Sequence, residues 1–402
     1  MLFNNIKNEF PTLKNNPGLA YFDSAASTQT HQNVLDRMNL YYEYERCNVH
    51  RGDFHISKKV SDDCETARQQ VADLLSTTSD KIMFTGGATE GLNMVAYWNK
   101  NAPVVIISEV EHTANILPWL AQGRTIDNGK LVVLPIEESG YIDPEKAKDV
   151  FRENPHAFCS IASTSNVIGV TNDLHKLVSY AHEFNIKVCF DACQTISSHE
   201  MDMSKNTADY VVGSGHKMFG PTGIGFLYSK LGYDIHPPYR LGGGTVVSYN
   251  YNGNVDFYEG PLKHESGTPN IAGILGLGIA AEYIKFIGYD NIADRLKEIE
   301  RWLHDAGLFD IPELTLVNRR GAFSDCRNVF SFTCNNLHPS DVSAFVGLDD
   351  VAVRVGKVCA HPIVNKVSNG KGIFRVSTHF YNTEDDCKKL VESLWKTLKK
   401  LA

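Results

Sequence analysis

The sequence predicts an α/β protein: a large domain built on a mostly parallel sheet, followed by a smaller C-terminal α+β domain. Three observations carry this. Short β-branched runs alternate with helical patterns over much of the chain, as βαβ units do. Those runs are apolar almost throughout, as strands covered on both faces are. After residue 270 the pattern changes to a long helical stretch followed by strand-like pieces.

Taken in order, "PVVIIS" (103–108), "KLVVLP" (130–135), "AFCSIAS" (157–163), "KVCFD" (187–191), "YVVGS" (210–214) and "GFLY" (225–228) read as buried strands. "PEKAKDVFREN" and "LHKLVSYAHEF" read as helices between them. Ligands in such sheets bind beyond the carboxyl ends of the strands. The residues that matter most are therefore 108–112, 163–166, 191–194 and 213–217. Beyond "ESGTPN" (265–270), a helical pattern begins at Ile271 and runs past Trp302. Strand-like pieces follow at 314–317, 328–333, 351–355 and 373–377. Thr383 opens a last helix, whose acidic first turn and lysine-rich end suit the helix dipole. The expected division is an N-terminal segment (1–20) packing on the small domain, a large domain (21–270) and the small domain (271–402).

Composition narrows the function classes. The 402 residues are 43% apolar and 21% charged, ordinary for a soluble globular protein. A net charge of −8 argues against a nucleic-acid binder and fits a soluble cytoplasmic protein. No long uncharged apolar run suggests a membrane span, and "MLFNNIKNEF" lacks the apolar core of a signal peptide. The nine cysteines show no CxxC pair and no zinc-finger spacing, so no metal site is expected. Most read as reduced apolar fillers.

Five features carry chemistry. "SGHKMFGPTGIG" (214–225) sets Lys217 among small residues after a strand, where an amine can be held as a nucleophile towards a carbonyl. Alone, a lysine there is more often an ordinary loop residue. "FDACQ" puts Asp191 at a strand end. It suits the ring nitrogen of pyridoxal 5′-phosphate (PLP), and Gln194 could reach the ring's phenolic oxygen. A helix N-cap or core salt bridge uses the same position. "TGGATEG" (85–91) offers a glycine turn and a helix opening at Thr89, an anion site that Ser214 and His216 could complete. Many such turns only cap helices. In "EVEHTANILPW", His112 could stack on an aromatic cofactor or shuttle protons, though a lone histidine is more often structural. In "VRVGKVCAHP" (353–362), Arg354 and Lys357 lie near Cys359, which makes it the best placed reactive thiol. Arg375, in "GIFRVS", is a strand arginine that needs an anion: a substrate carboxylate or a structural partner.

Together, "YFDSAAST", "VHRGDFHISKKVSD", "FTGGATEGLNMVA", "EVEHTANILPW", "STSNVIGV", "FDACQ", "GSGHKMFGPTGIGFLY", "LGGGTV", "ESGTPNIAGILGLGIAAEY", "VRVGKVCAHP" and "FRVSTHFYNT" resemble the class V aminotransferase fold family. They look most like its group II (SUF-type) cysteine desulfurase and selenocysteine lyase branch, from about residue 20 to 383. The resemblance implies PLP fold type I, aspartate aminotransferase-like. It implies that Lys217 forms the Schiff base with PLP. Asp191 would pair the ring nitrogen, Gln194 the phenolic oxygen, and His112 would stack on the ring. Ala88, Thr89, Ser214 and His216 would line the phosphate end, joined by Thr268 from the other subunit of a homodimer. Asn166, Arg375 and Arg354 would serve the substrate, and Cys359 would take the sulfur.

The implied activity turns L-cysteine into L-alanine. A Cys359 persulfide would then pass to an acceptor protein with an exposed cysteine, for iron–sulfur cluster or other sulfur biosynthesis. Selenocysteine or cysteine sulfinate cleavage, or a pathway-dedicated C–S lyase, needs little change in such a site. A non-catalytic sulfur carrier on the same fold should have lost Lys217, Asp191 or Cys359, and all three are present. The chain departs from the pattern at Ala88 and Cys193, at Thr113 where a second histidine is usual, at Phe54 before His55, and at Val355.

Overall fold

The computed structural model describes residues 3–205, 207–317 and 328–401. A seven-stranded sheet lies at its centre, in the order Ile82–Thr85, Gly225–Ser229, Tyr210–Ser214, Lys187–Asp191, Phe158–Ala162, Val105–Ser108, Leu131–Leu134. Gly225–Ser229 runs antiparallel to both neighbours, and the other pairs are parallel. All six strands read from the sequence are in this sheet. Ile82–Thr85 is the unread one: four residues between a short turn and a glycine pair are too few for a period to show.

The strands are apolar because both faces are covered. Phe158–Ala162, Tyr210–Ser214 and Gly225–Ser229 are buried at every position. Helices Ala88–Trp98, Pro144–Glu153 and Leu174–Glu183 belong to this cover, and a long helix, His55–Leu74, packs along Ile271–Ile287. The helical pattern from Ile271 past Trp302 is not one helix. It breaks at Gly288 (φ 80°), and Tyr289–Asp305 leaves at 76° to the first. Glycine takes that left-handed backbone without a Cβ clash. The burial also differs. Ile271–Ile287 is apolar almost all round and lies in the core, whereas Tyr289–Asp305 buries one stripe through Ile292, Leu296, Ile299 and Leu303. No single helix among the described residues is long and apolar enough to cross a membrane.

The C-terminal part holds a four-stranded antiparallel sheet, in the order Leu314–Leu316, Val329–Cys334, Ile373–Ser377, Arg354–Gly356. The predicted strand at 351–355 divides in two. Val351–Ala352 pairs with Ala20–Tyr21 instead, and only Arg354–Gly356 joins the sheet. The chain at 22–24 continues between the two, with Phe22 N–H donating to Ala352 O and Ser377 N–H donating to Phe22 O, both at 2.8 Å. Phe10 is fully buried against Phe219 and Tyr381, and Lys7 pairs with Asp386 at 2.5 Å. In the last helix, Glu384–Leu401, Thr383 Oγ1 accepts from Asp386 N–H and Asp386 Oδ2 accepts from Thr383 N–H. This reciprocal cap is what an acidic first turn allows.

Candidate active site

The carboxyl ends of the parallel strands open into a cavity of about 340 Å³. Every residue to which the resemblance gives a cofactor, substrate or sulfur role lines it except Thr268: Ala88, Thr89, His112, Asn166, Asp191, Gln194, Ser214, His216, Lys217, Arg354, Cys359 and Arg375. Thr268 is exposed and lines a separate cavity with Gly86 and Glu90.

Lys217 ends a single 3-10 turn, Gly215–Lys217, directly after strand Tyr210–Ser214. The turn is pinned from the N-terminal loop: Thr28 N–H donates to His216 O at 2.9 Å, and Phe219 N–H donates to Thr28 Oγ1 at 2.8 Å. Burial, and then the charge of Lys217, push the His216 imidazole down to about 4. Ser214 Oγ accepts the Ala88 N–H at 2.8 Å and so ties this strand end to the start of helix Ala88–Trp98. Glycines make the approach possible. A Cβ at Gly225 would lie 2.3 Å from Gly213 O and 2.7 Å from Gly87 Cα, and Gly87 itself has φ 143°.

Asp191 is buried, and its Oδ1 accepts the Cys193 N–H at 3.0 Å. Burial, and then the Asp191 charge, push the Cys193 thiol upward. Gln194 is held by its Nε2, which donates to Ala25 O at 2.7 Å. His112 Nδ1 accepts the Ala114 N–H at 3.1 Å, which leaves the ring proton on Nε2 in the neutral form. Burial, and next the Lys217 charge, lower its pKa and favour that form.

Two carboxylates that organise the site went unassigned in the sequence reading. Glu111 is fully buried beneath His112. It accepts from Ala162 N–H at 2.9 Å, from Asn115 Nδ2 at 2.6 Å and from Ser108 Oγ. Burial pushes its pKa up to about 7. Its signal was an acid between a strand and a histidine, which does not say whether the side chain points inward. Asp23, inside "YFDSAAST", accepts from Arg354 Nη2 at 2.5 Å and lies 3.5 Å from Arg375 Nη2.

Arg375 is buried in the middle of its strand. Nη1 donates to Asn166 O at 2.9 Å, and Nε has no partner among the described residues. Buried donors are rarely left so. An anion in the cavity would satisfy it. Burial lowers the Arg375 pKa to about 10.

Cys359 lies between strand Arg354–Gly356 and helix His361–Ser368. It is the one exposed cysteine among the described residues. Cys47 is half-buried, and Cys64, Cys159, Cys189, Cys193, Cys334 and Cys387 are buried. Val358 and Cys359 are both left-handed, at φ 41° and 55°. Asn166 Nδ2 donates to Val358 O at 2.8 Å, and Thr113 donates twice to Cys359 O. The two cations near the thiol in sequence have other partners. Arg354 pairs with Asp23, while Lys357 donates to Asn365 and, at 2.6 Å, to Gly370 O. Pro362 lies in the first turn of the following helix, where its missing N–H costs nothing.

The chain is similar to known proteins over nearly its whole length. The family model described as aminotransferase class-V matches residues 20–390. A probable cysteine desulfurase of Synechocystis sp. is 34% identical over 98% of this chain and 95% of its own. A cysteine desulfurase of Escherichia coli O8 is 33% identical over 97% and 96%. Among solved structures, the apo cysteine desulfurase of Thermococcus onnurineus NA1 superposes with TM-score 0.89 at 29% identity, over 98% of this chain and 97% of that one. The Escherichia coli cysteine desulfurase CsdA, in an S-sulfonic acid form, gives 0.87 at 29% identity, over 99% and 98%. This chain belongs to the class-V aminotransferase family.

Proposed function

We propose that this protein is a PLP-dependent cysteine desulfurase, converting L-cysteine to L-alanine and carrying the sulfur as a persulfide on Cys359. The observation that carries the reading is one cavity lined by Lys217, Asp191, Arg375 and the exposed thiol of Cys359. The relatives' activity supports it.

The residues present fit PLP. A glycine turn, the start of an eleven-residue helix and the Ser214 hydroxyl suit a phosphate. A buried carboxylate, an amine and a half-buried imidazole line the wall beyond it. When bound, PLP supplies an aldehyde for amines and a pyridinium ring that accepts the electrons of a breaking bond.

The chain's own groups supply the rest. Lys217 would hold the cofactor through its Nζ, and the same amine would take the α-proton of cysteine. Asp191 would keep a proton on the ring nitrogen, Gln194 would serve the phenolic oxygen, and His112 would stack on the ring as a neutral imidazole. Arg375, with its unpartnered Nε, binds the α-carboxylate, aided by Asn166 and Arg354. The Cys359 thiolate attacks the substrate sulfur. An S–S bond forms as the C–S bond breaks, the electron pair stays with the carbon fragment, and protonation there gives alanine.

Three further parts belong to this reading. A second copy of the chain brings Thr268 to the phosphate end. A protein with an exposed cysteine accepts the persulfide sulfur. A reducing compartment such as the cytoplasm suits the free thiol. The test is incubation of the PLP-loaded protein with L-cysteine, measuring alanine and the mass of the Cys359 peptide. Alanine with one added sulfur on Cys359 is expected. No alanine from L-cysteine, with turnover of selenocysteine or cysteine sulfinate instead, would overturn the substrate assignment.

A further inference from the structure

We infer that Thr113 is the positioning residue of Cys359, holding its loop in register with the strand end that carries His112. The Cys359 carbonyl accepts two hydrogen bonds from Thr113: the amide N–H at 2.6 Å and Oγ1 at 2.7 Å. The preceding carbonyl, on Val358, accepts from Asn166 Nδ2 at 2.8 Å. These are the carbonyls of the two left-handed residues. A consecutive pair of non-glycine residues in that region, one of them β-branched, persists only where the surroundings over-determine it. Here that is done by the bonds from Thr113 and Asn166, by Ala360 N–H donating to Lys357 O at 2.8 Å, and by burial of Ala360.

Thr113 is itself a fixed point. It opens the turn Thr113–Asn115, which His112 caps through Nδ1 and which the buried Glu111 holds through Asn115. The turn that presents the imidazole to the cavity thus also sets the height of the cysteine loop. Thr113 does not line the cavity, so it acts through the loop and not on substrate.

The kinetic half of this inference rests on the desulfurase reading, whereas the structural half does not. The backbone bond survives any replacement of Thr113 except proline, so Thr113→Val isolates the hydroxyl and Thr113→Ser keeps it. The experiment compares wild type, Thr113→Val and Thr113→Ser as PLP-loaded full chains. It uses amide hydrogen exchange across residues 357–361 and the pre-steady-state burst of alanine from L-cysteine. Loss of one net hydrogen bond should speed local opening about fivefold in Thr113→Val. Its burst rate at saturating L-cysteine should fall by at least about that factor, with the half-saturating concentration within about twofold, and Thr113→Ser should restore both. Wild-type exchange in Thr113→Val would overturn the inference. So would faster exchange with an unchanged burst rate, or a Thr113→Ser variant no better than Thr113→Val. Should Thr113→Val melt early, Thr113→Ala is read the same way. A wild type that makes no alanine would remove the desulfurase reading and leave the exchange comparison standing.

Discussion

Arg354 and Arg375 are register partners on adjacent antiparallel strands, and the carboxylate of Asp23 lies against both. Two guanidinium groups facing one carboxylate leave one positive charge over. Asp23 favours Arg354, at 2.5 Å against 3.5 Å, so Arg375 is the less satisfied of the two. Its orphan Nε and its place in the cavity wall are why we propose it as the seat of a substrate carboxylate. A lysine keeps the charge and loses the fork. Arg375→Lys should therefore raise KM for L-cysteine at least tenfold, worth about 1.4 kcal/mol. Steady-state kinetics check this, and an unchanged KM contradicts it.

Lys217 ends a turn fixed on both sides by hydrogen bonds with Thr28. The amine is thus delivered to one place in the cavity. Borohydride treatment of the PLP-loaded protein should fix the cofactor covalently to Lys217 and bleach its yellow band. Lys217→Ala should trap nothing. Peptide mass mapping reads the site, and reduced cofactor found on another lysine would end the assignment.

Glu111 supplies a prediction in pH. Burial holds its folded pKa at about 7, above the 4.5 of a free glutamate. Between these values the folded protein binds more protons than the unfolded chain. Stability must therefore fall as pH rises through that window. The size is roughly 3 kcal/mol between pH 4.5 and 7. Glu111→Gln does not titrate there and keeps an oxygen for the Ala162 amide. Denaturant unfolding at pH 5 and pH 8 should show wild type losing more stability than Glu111→Gln across the step. Parallel losses in the two proteins would refute the role given to Glu111.

Strands were legible wherever an apolar run of five or so residues stood between turn signals, as at Lys187–Asp191 and Tyr210–Ser214. The hairpin Val246–Tyr249 with Val255–Phe257 was not read, because its residues are mostly exposed and carry no apolar run. Gly288 was passed over because one glycine inside a helical pattern does not announce whether the chain turns there. The strand-end rule and motif likeness located the site residues, since both depend on local sequence. What no local signal could give was the pairing at a distance. Asp23 meets Arg354 across 331 positions, and Thr113 meets Cys359 across 246. Those contacts exist only once residues 20–24 are inserted beside strand Ile373–Ser377 and the loop after Gly356 is laid on the strand ends.

The Cys359 loop has little freedom: strand Arg354–Gly356 ends just before it, helix His361–Ser368 starts just after it, and Ala360 is fully buried between. Thr113 and Asn166 hold its carbonyls from the far side. Such a loop cannot carry a persulfide across the surface to a distant acceptor, so the acceptor must come to it. Cys359 is nevertheless exposed, which leaves that approach open. Lys357 is tied into Asn365 and Gly370, which leaves the exposed His361 as the nearer side chain for an acceptor to meet. Turnover with cysteine alone should therefore be limited by persulfide removal, not by chemistry at Lys217. Pre-steady-state kinetics should show a burst of one alanine per site, then a slower phase that a strong thiol reductant or an acceptor protein accelerates. Cys359→Ser should bind cysteine and give no burst, because a hydroxyl is a poor acceptor of sulfur. A wild type without a burst, at a rate indifferent to reductant, would put the slow step at the cofactor and remove the clamped loop from the explanation.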